Sequence, residues 1–182
     1  MKVWIGNLAK YNAGILEGEW VNPAGFKKAD WVDFLRTIHV GKAKNGQTFM
    51  DESGAPCEEW HICDYEDSPV HIERFESLEK LAEIANYCEQ YGLDTIRAIA
   101  EVSDDTWDEL TSRLDNSDYC IYEHCPNEAA LGHCLVKDDY FGGVPDYLLD
   151  YIDYESLGRD YSSNAAGGFA KIGSENVYIE LY

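Results

Sequence analysis

Between Asp138 and Asp160 seven carboxylates (Asp138, Asp139, Asp146, Asp150, Asp153, Glu155 and Asp160) stand against one cation, Arg159, with a tyrosine or phenylalanine every few residues. Asp and Glu pairs can perform general acid–base work. With 35 acids in 182 residues, however, close pairs arise from composition alone and select no catalytic pair. Sulfur and imidazole are the other chemistry on offer. Cys57-x3-His61-x-Cys63 and Cys120-x3-His124-Cys125 with His133-Cys134 hold zinc-type ligands. Structural zinc sites use two pairs at Cys-x2–4-Cys or His-x3–5-His spacing, and neither cluster shows two such pairs. His61 and Cys63 fall on one side of a strand whose other side holds Trp60 and Ile62, which ordinary half-burial explains. No Gly-x-Ser-x-Gly, Walker or Gly-x-Gly-x-x-Gly pattern is present. The sequence therefore reads as that of a non-enzyme without metal or cofactor.

The remaining chemistry is display of charge. The chain carries 35 acidic against 14 basic residues, a formal net charge of −21. Residues 1–100 hold 17 acidic and 10 basic residues, and residues 101–182 hold 18 and 4. A halophile's coat would be spread more evenly. Hydrophobic content of 45% and aromatic content of 13% exceed those of an acidic disordered tail, so this is a folded protein. Its potential attracts basic partners and argues against direct nucleic-acid binding, since nothing could neutralise phosphates. The first residues lack a secretory signal and no apolar run approaches the ~20 residues of a membrane span, so the expected place is the cytoplasm. Six irregularly spaced cysteines in a chain of this size read as reduced thiols.

Val144-Pro145 can open a helix that carries these groups, and Gly158 can close it. On such a helix Asp146, Asp150 and Asp153 share one face, Leu148, Tyr151 and Ile152 the other, and Glu155 pairs with Arg159 at i+4. The acidic stripe advances in steps of roughly 5–6 Å. A DNA strand carries one phosphate per about 3.4 Å, so the spacings are of comparable size.

This segment resembles the signature of the ArdA antirestriction proteins, in the pattern Gly142, Pro145, Leu148, Tyr151-Ile152-Asp153-Tyr154-Glu155, Gly158-Arg159-Asp160. The opening Ile5-Gly-Asn-Leu-Ala-Lys-Tyr11-Asn12-Ala-Gly14-Ile-Leu16-Glu-Gly18-Glu-Trp20 is similar to that family's amino terminus. Glu59-Trp60-His-Ile-Cys-Asp64-Tyr65-Glu66 is similar to a second family block. Leu157 stands where an aromatic is more frequent, and the segment from Gly41 to Pro56 is longer than usual. The resemblance implies three small domains in a line, an elongated dimer joined through the carboxy-terminal domain, and a gene carried on a mobile element.

The rest of the chain fits an α+β reading in three parts. In residues 1–74, strands are expected over Lys2–Leu8, Ile15–Val21 and Trp60–Asp64, with a turn at Tyr11–Gly14. A helix over Ala29–His39 and a surface loop over Gly41–Pro56 complete that part. In residues 75–115, Ser77, Asp94 and Ser103 are placed to cap three short helices. Asp104, Asp105 and Asp108 lie near the positive end of the third. In residues 116–182, a strand at Tyr119–Tyr122, a helix at Asn127–Val136, the signature helix and two strands near Phe169–Ile172 and Val177–Leu181 form a second α+β part.

The expected function is that of a DNA mimic. It would occupy the DNA groove of a type I restriction–modification enzyme, at its methyltransferase core, in a bacterial host. The mimic surface is Asp138, Asp139, Asp146, Asp150, Asp153, Asp160, Asp104, Asp105 and Asp108. A homodimer contact is expected at Leu148, Tyr151, Ile152, Glu155 and Arg159, because aromatic residues favour interfaces. The alternatives are an acidic adaptor for another basic protein and a zinc or carboxylate hydrolase built on the Cys/His clusters.

Overall fold

The computed structural model describes residues 1–182, which divide into two compact units, Met1–Leu93 and Asp94–Tyr182. Both are mixed α+β, each with a three-stranded antiparallel sheet.

In the first unit β1 (Lys2–Asn7) is the central strand, flanked by β2 (Gly18–Val21) and β3 (Trp60–Glu66). Alternating apolar residues set the register, with Val3 opposite Val21 and Ile5 opposite Ile62. α1 (Leu8–Asn12), α2 (Lys28–Thr37) and α3 (Leu78–Tyr91) complete the unit. Val3, Ile5, Trp31, Ile38, Ile62, Ile72 and Leu81 are buried in its core, each contributing about 1.5–3 kcal/mol for an aliphatic side chain removed from water. Asn7 is buried and fully used: its amide donates to the carbonyls of Ile38 (3.2 Å) and His39 (3.0 Å), and its oxygen accepts from Lys10 N (3.1 Å). That cap turns Leu8–Asn12 into a short helix where the sequence suggested only a turn, and β2 consequently begins at Gly18 rather than Ile15. Gly18 permits this pairing, because a Cβ there would lie 2.4 Å from the Trp4 ring. The 41–56 segment is a folded surface loop with isolated bridges at Lys42–Thr48 and Met50–Pro56. Asp51 organises its tip, accepting from Ser53 N (2.9 Å), Ser53 Oγ (2.7 Å) and Ala55 N (2.8 Å).

α3 follows its sequence signals: Ser77 accepts from Lys80 N (3.1 Å) and Gly92, at φ +83°, ends it. The next two caps differ from expectation. α4 spans Leu93–Ser103, so Asp94 sits inside its first turn and Ser103 is its last residue. α5 (Trp107–Asn116) is capped by Thr106, whose backbone N–H and hydroxyl donate to Glu109 at 2.9 and 2.7 Å. Thr106-x-x-Glu109 is a capping box, whereas Ser103-x-x-Thr106 lacks the acid that closes one.

The second unit also holds β4 (Tyr119–Tyr122), α6 (Glu128–Lys137), a 3-10 helix (Asp146–Tyr151), α7 (Tyr154–Asn164), β5 (Gly167–Ile172) and β6 (Glu175–Leu181), with sheet order β4-β6-β5. Cys125, Leu131, Leu135 and Tyr178 form a core lined by Tyr122, Tyr161 and Phe169. Burial pushes the Cys125 thiol up to about 12, in keeping with a small apolar core residue. α6 and α7 approach backbone to backbone. A Cβ on Gly132 would lie 2.0 Å from the Tyr154 carbonyl oxygen, and one on Gly158 would lie 1.8 Å from that of Glu128. Gly158 therefore does not close a helix. It sits buried inside α7, where only a hydrogen fits against α6.

Candidate interaction surface

The signature segment is not one helix. After α6, Asp138 caps the helix C-terminus, Asp139 adopts φ +61°, and Gly142 and Gly143 follow at +81° and +87°. Pro145 then leads into the 3-10 helix. Ile152 is extended (φ −82°, ψ 128°) and Asp153 caps α7, accepting from Ser156 N (3.0 Å) and Ser156 Oγ (2.8 Å). These bonds hold the Asp153 carboxyl below the usual carboxylate range and place its charge at the positive end of α7. The Asp146–Asp150–Asp153 stripe expected of a continuous helix is thereby corrected. A 3-10 helix turns about 120° per residue, so Asp146 and Asp150 point in directions about 120° apart. Asp153 belongs to the next element. The physical cause is competition between caps, as Asp153-x-x-Ser156 satisfies the start of a new helix better than Ile152-Asp153 continues the old one.

Asp138, Asp139, Asp146, Asp150 and Asp160 are exposed and none is ion-paired. Asp104 and Asp108 are exposed as well. Asp105 is different. Arg113 donates Nε to its Oδ2 at 2.7 Å, with side-chain exposures of 18% and 12%, and this bond holds the Asp105 carboxyl below its ordinary value. Arg113 also donates to the carbonyls of Asp118 (3.2 Å) and Tyr182 (3.0 Å), so Asp105 anchors the carboxy-terminal strand's end. Glu180 is likewise employed internally, accepting from Tyr161 (2.5 Å), Tyr122 (3.2 Å) and Tyr182 (3.3 Å) hydroxyls. Sequence reasoning did not single Glu180 out; Tyr122 reaches it from the neighbouring strand and Tyr161 from α7, and only Tyr182 is near it in the chain.

Beside the exposed carboxylates lie exposed apolar groups. Tyr147 and Tyr151 are 76% and 85% exposed, with Leu148, Tyr140 and Phe141 also open. Ile152 is half-buried. Glu155 and Arg159 form the expected i,i+4 pair at 2.5 Å, both exposed. Tyr154 turns inward, stacking on His133 at 3.6 Å between ring centres and donating its hydroxyl to Leu149 O (3.1 Å).

The Cys/His clusters do not assemble as the sequence groups them. His61 Nε2 and Cys63 Sγ meet at 2.7 Å, but β3 is bulged at Cys63 and His61 and Ile62 are both buried, so simple half-burial by alternation does not describe this stretch; Cys57 is buried. Cys125 lies in the core, Cys134 is half-buried on α6 and His133 stacks on Tyr154. The ligand-type side chains gathered in space are instead Glu123, His124 and Glu175, within 4.8 Å of one another at the surface. No helix is long and apolar enough to cross a membrane.

The family model described as antirestriction protein (ArdA) matches residues 3–176. No curated protein matches the chain.

Proposed function

The chain belongs to the ArdA antirestriction family, and from that premise we propose that it blocks type I restriction–modification enzymes by standing in for their DNA. The observation that carries the reading is the set of five exposed, unpaired carboxylates at 138, 139, 146, 150 and 160, in a unit with 19 acidic and 5 basic residues. Asp153, Asp104 and Asp108 add exposed charge in the same unit. Carboxylates take the place of phosphates against the basic groove of the methyltransferase core. Inhibition is competitive, with no covalent step and no cofactor, and the protein acts as an inhibitor rather than an enzyme. Family membership supports the target class, and the charge supports a basic DNA-binding partner.

The same proposal includes a homodimer joined through the exposed Leu148, Tyr151 and Glu155/Arg159 region, with Ile152 at its edge. A two-fold axis there would place two acidic surfaces symmetrically. It also includes the elongated three-domain arrangement over 1–74, 75–115 and 116–182 and the bacterial cytoplasm as the site of action. The test is cleavage of unmodified plasmid by a purified type I enzyme with this protein titrated in. Inhibition that is relieved by added enzyme, with the protein recovered unmodified by mass spectrometry, is the expected result. Full cleavage at every concentration would leave an acidic adaptor for another basic protein as the better reading.

A further inference from the structure

The first unit carries a cleft of about 510 Å³ that the antirestriction reading does not use. Its floor is the His61–Cys63 stretch of β3, Tyr11 and Leu16 form one wall, and His71 and Arg74 form part of the other. Ile62 N donates to Arg74 O at 2.8 Å, which fixes the second wall against the sheet. The size falls in the range of small-ligand pockets, about 300–1,000 Å³.

Two side chains of this cleft each keep a polar group without an ionic or hydrogen-bonding partner. Arg74 makes no ion pair in a chain with 35 carboxylates; its guanidinium lies instead over the Tyr11 and Phe75 rings, 5.4 and 5.5 Å from their centres. His61 is 1% exposed, its Nε2 and Cys63 Sγ share a hydrogen bond of 2.7 Å, and its Nδ1 has no partner. Burial, with the nearby Arg74 charge, lowers the His61 pKa and disfavours a second cation in the cleft. In the cleft lining Leu16 and Tyr11 are 73% and 47% exposed, apolar surface open beside one arginine.

We infer that this cleft binds a monoanionic carboxylate attached to an apolar body, the carboxylate on the Arg74 guanidinium and the body against Tyr11 and Leu16, whose backing is the buried His61 ring, 4.7 Å from that of Tyr11. Arginine's planar fork matches a carboxylate, and its stacking on two rings leaves the fork's edge available. Asp64 and Glu73 also line the cleft, and the unit holds 16 acidic against 9 basic residues. A doubly charged phosphate would meet that repulsion twice over, which selects a monoanion. The chemistry is supplied equally by a free aryl- or alkyl-carboxylic acid and by the carboxy-terminal residue of a peptide. This inference is independent of the antirestriction reading, and either can fail alone.

The test is an NMR titration of the full chain with 3-phenylpropionate, 3-phenylpropionamide, inorganic phosphate, and a Gly-Gly-Phe peptide with free or amidated terminus. Saturable shifts at Tyr11 and His61 are expected with the free acid, the free-carboxylate peptide or both, which identifies the source. The amides and phosphate should bind about tenfold more weakly or worse. Arg74→Gln should lose the preference for acid over amide. Leu16→Glu, an exposed change that offers Arg74 an internal carboxylate, should weaken the acid by a similar factor. Equal binding of acid and amide, equal binding of phosphate, an unchanged Arg74→Gln titration, or no saturable shift with the protein folded would each overturn the inference.

Discussion

Asp105 and Asp104 are neighbours in the chain with different duties. Asp104 is exposed, whereas Asp105 is locked to Arg113, which in turn holds the carbonyls of Asp118 and Tyr182. Asp105→Asn should therefore cost about 1–3 kcal/mol in urea unfolding, while Asp104→Asn should stay within about 0.5 kcal/mol of the parent. The pH dependence has a definite sign. The folded-state pKa of Asp105 is lowered, so its stabilisation is complete above the unfolded value, about 3.9. It is lost as pH falls through the lower folded value. Parent and Asp105→Asn should differ at pH 7 and converge in acid; a difference that does not shrink as pH falls below the ordinary carboxylate value would contradict the assignment. Gly158 is a second residue-scale case. Its identity was plain in the sequence, but its reason was not, because a glycine that ends a helix and one that lets two helices touch look alike in a string. Gly158→Ala, with 1.8 Å to the Glu128 carbonyl oxygen, should cost about 3 kcal/mol or more by thermal unfolding. A cost near that of an exposed helical Gly→Ala change would refute the close-packed crossing.

At the scale of elements, those whose signals were strong and unopposed came out as the sequence indicates. α3 lies between Ser77 and Gly92, β1 starts at Lys2 and β3 at Trp60, and Tyr119–Tyr122 is a strand, although a bulge at Cys63 breaks the alternation expected of β3. The elements that moved are those where two local signals competed. Ser103 and Thr106 both offered caps, and Glu109 decided for Thr106. In the signature, the start given by Pro145 and the start given by Asp153 both succeeded, so one expected helix became a 3-10 helix and α7. Such choices turn on differences of about 1 kcal/mol, which spacing alone does not resolve. The break has a consequence for association, since it leaves Leu148 and Tyr151 on a short, exposed element. Leu148→Ser with Tyr151→Ser should leave the thermal midpoint nearly unchanged, because neither side chain is in the core. It should weaken self-association in sedimentation velocity by about tenfold or more, as loss of central apolar anchors does. Unchanged association would remove this region from the dimer contact.

For the molecule as a whole, charge was the most legible property and the least demanding of detailed structure. A net −21, with 19 acidic against 5 basic residues in the second unit, holds whatever the exact helix boundaries are. The fold shows which acids are least available for display: Asp105 and Glu180 are used as internal acceptors. No periodicity could reveal that, since their main partners come from other elements. The displayed acids are many and none is buried, so the proposed mimicry rests on their sum. Single changes such as Asp146→Asn or Asp160→Asn should hardly alter inhibition, whereas neutralising 138, 139, 146, 150 and 160 together should abolish most of it. One aspartate carrying nearly all the effect would contradict a distributed surface. The most direct measurement is displacement of labelled DNA from a purified type I methyltransferase core by this protein, titrated at two salt concentrations. DNA mimicry predicts full displacement that weakens by about tenfold or more between roughly 50 and 200 mM salt, as phosphate-driven binding does. Absence of displacement by the folded protein, or displacement indifferent to salt, would contradict it.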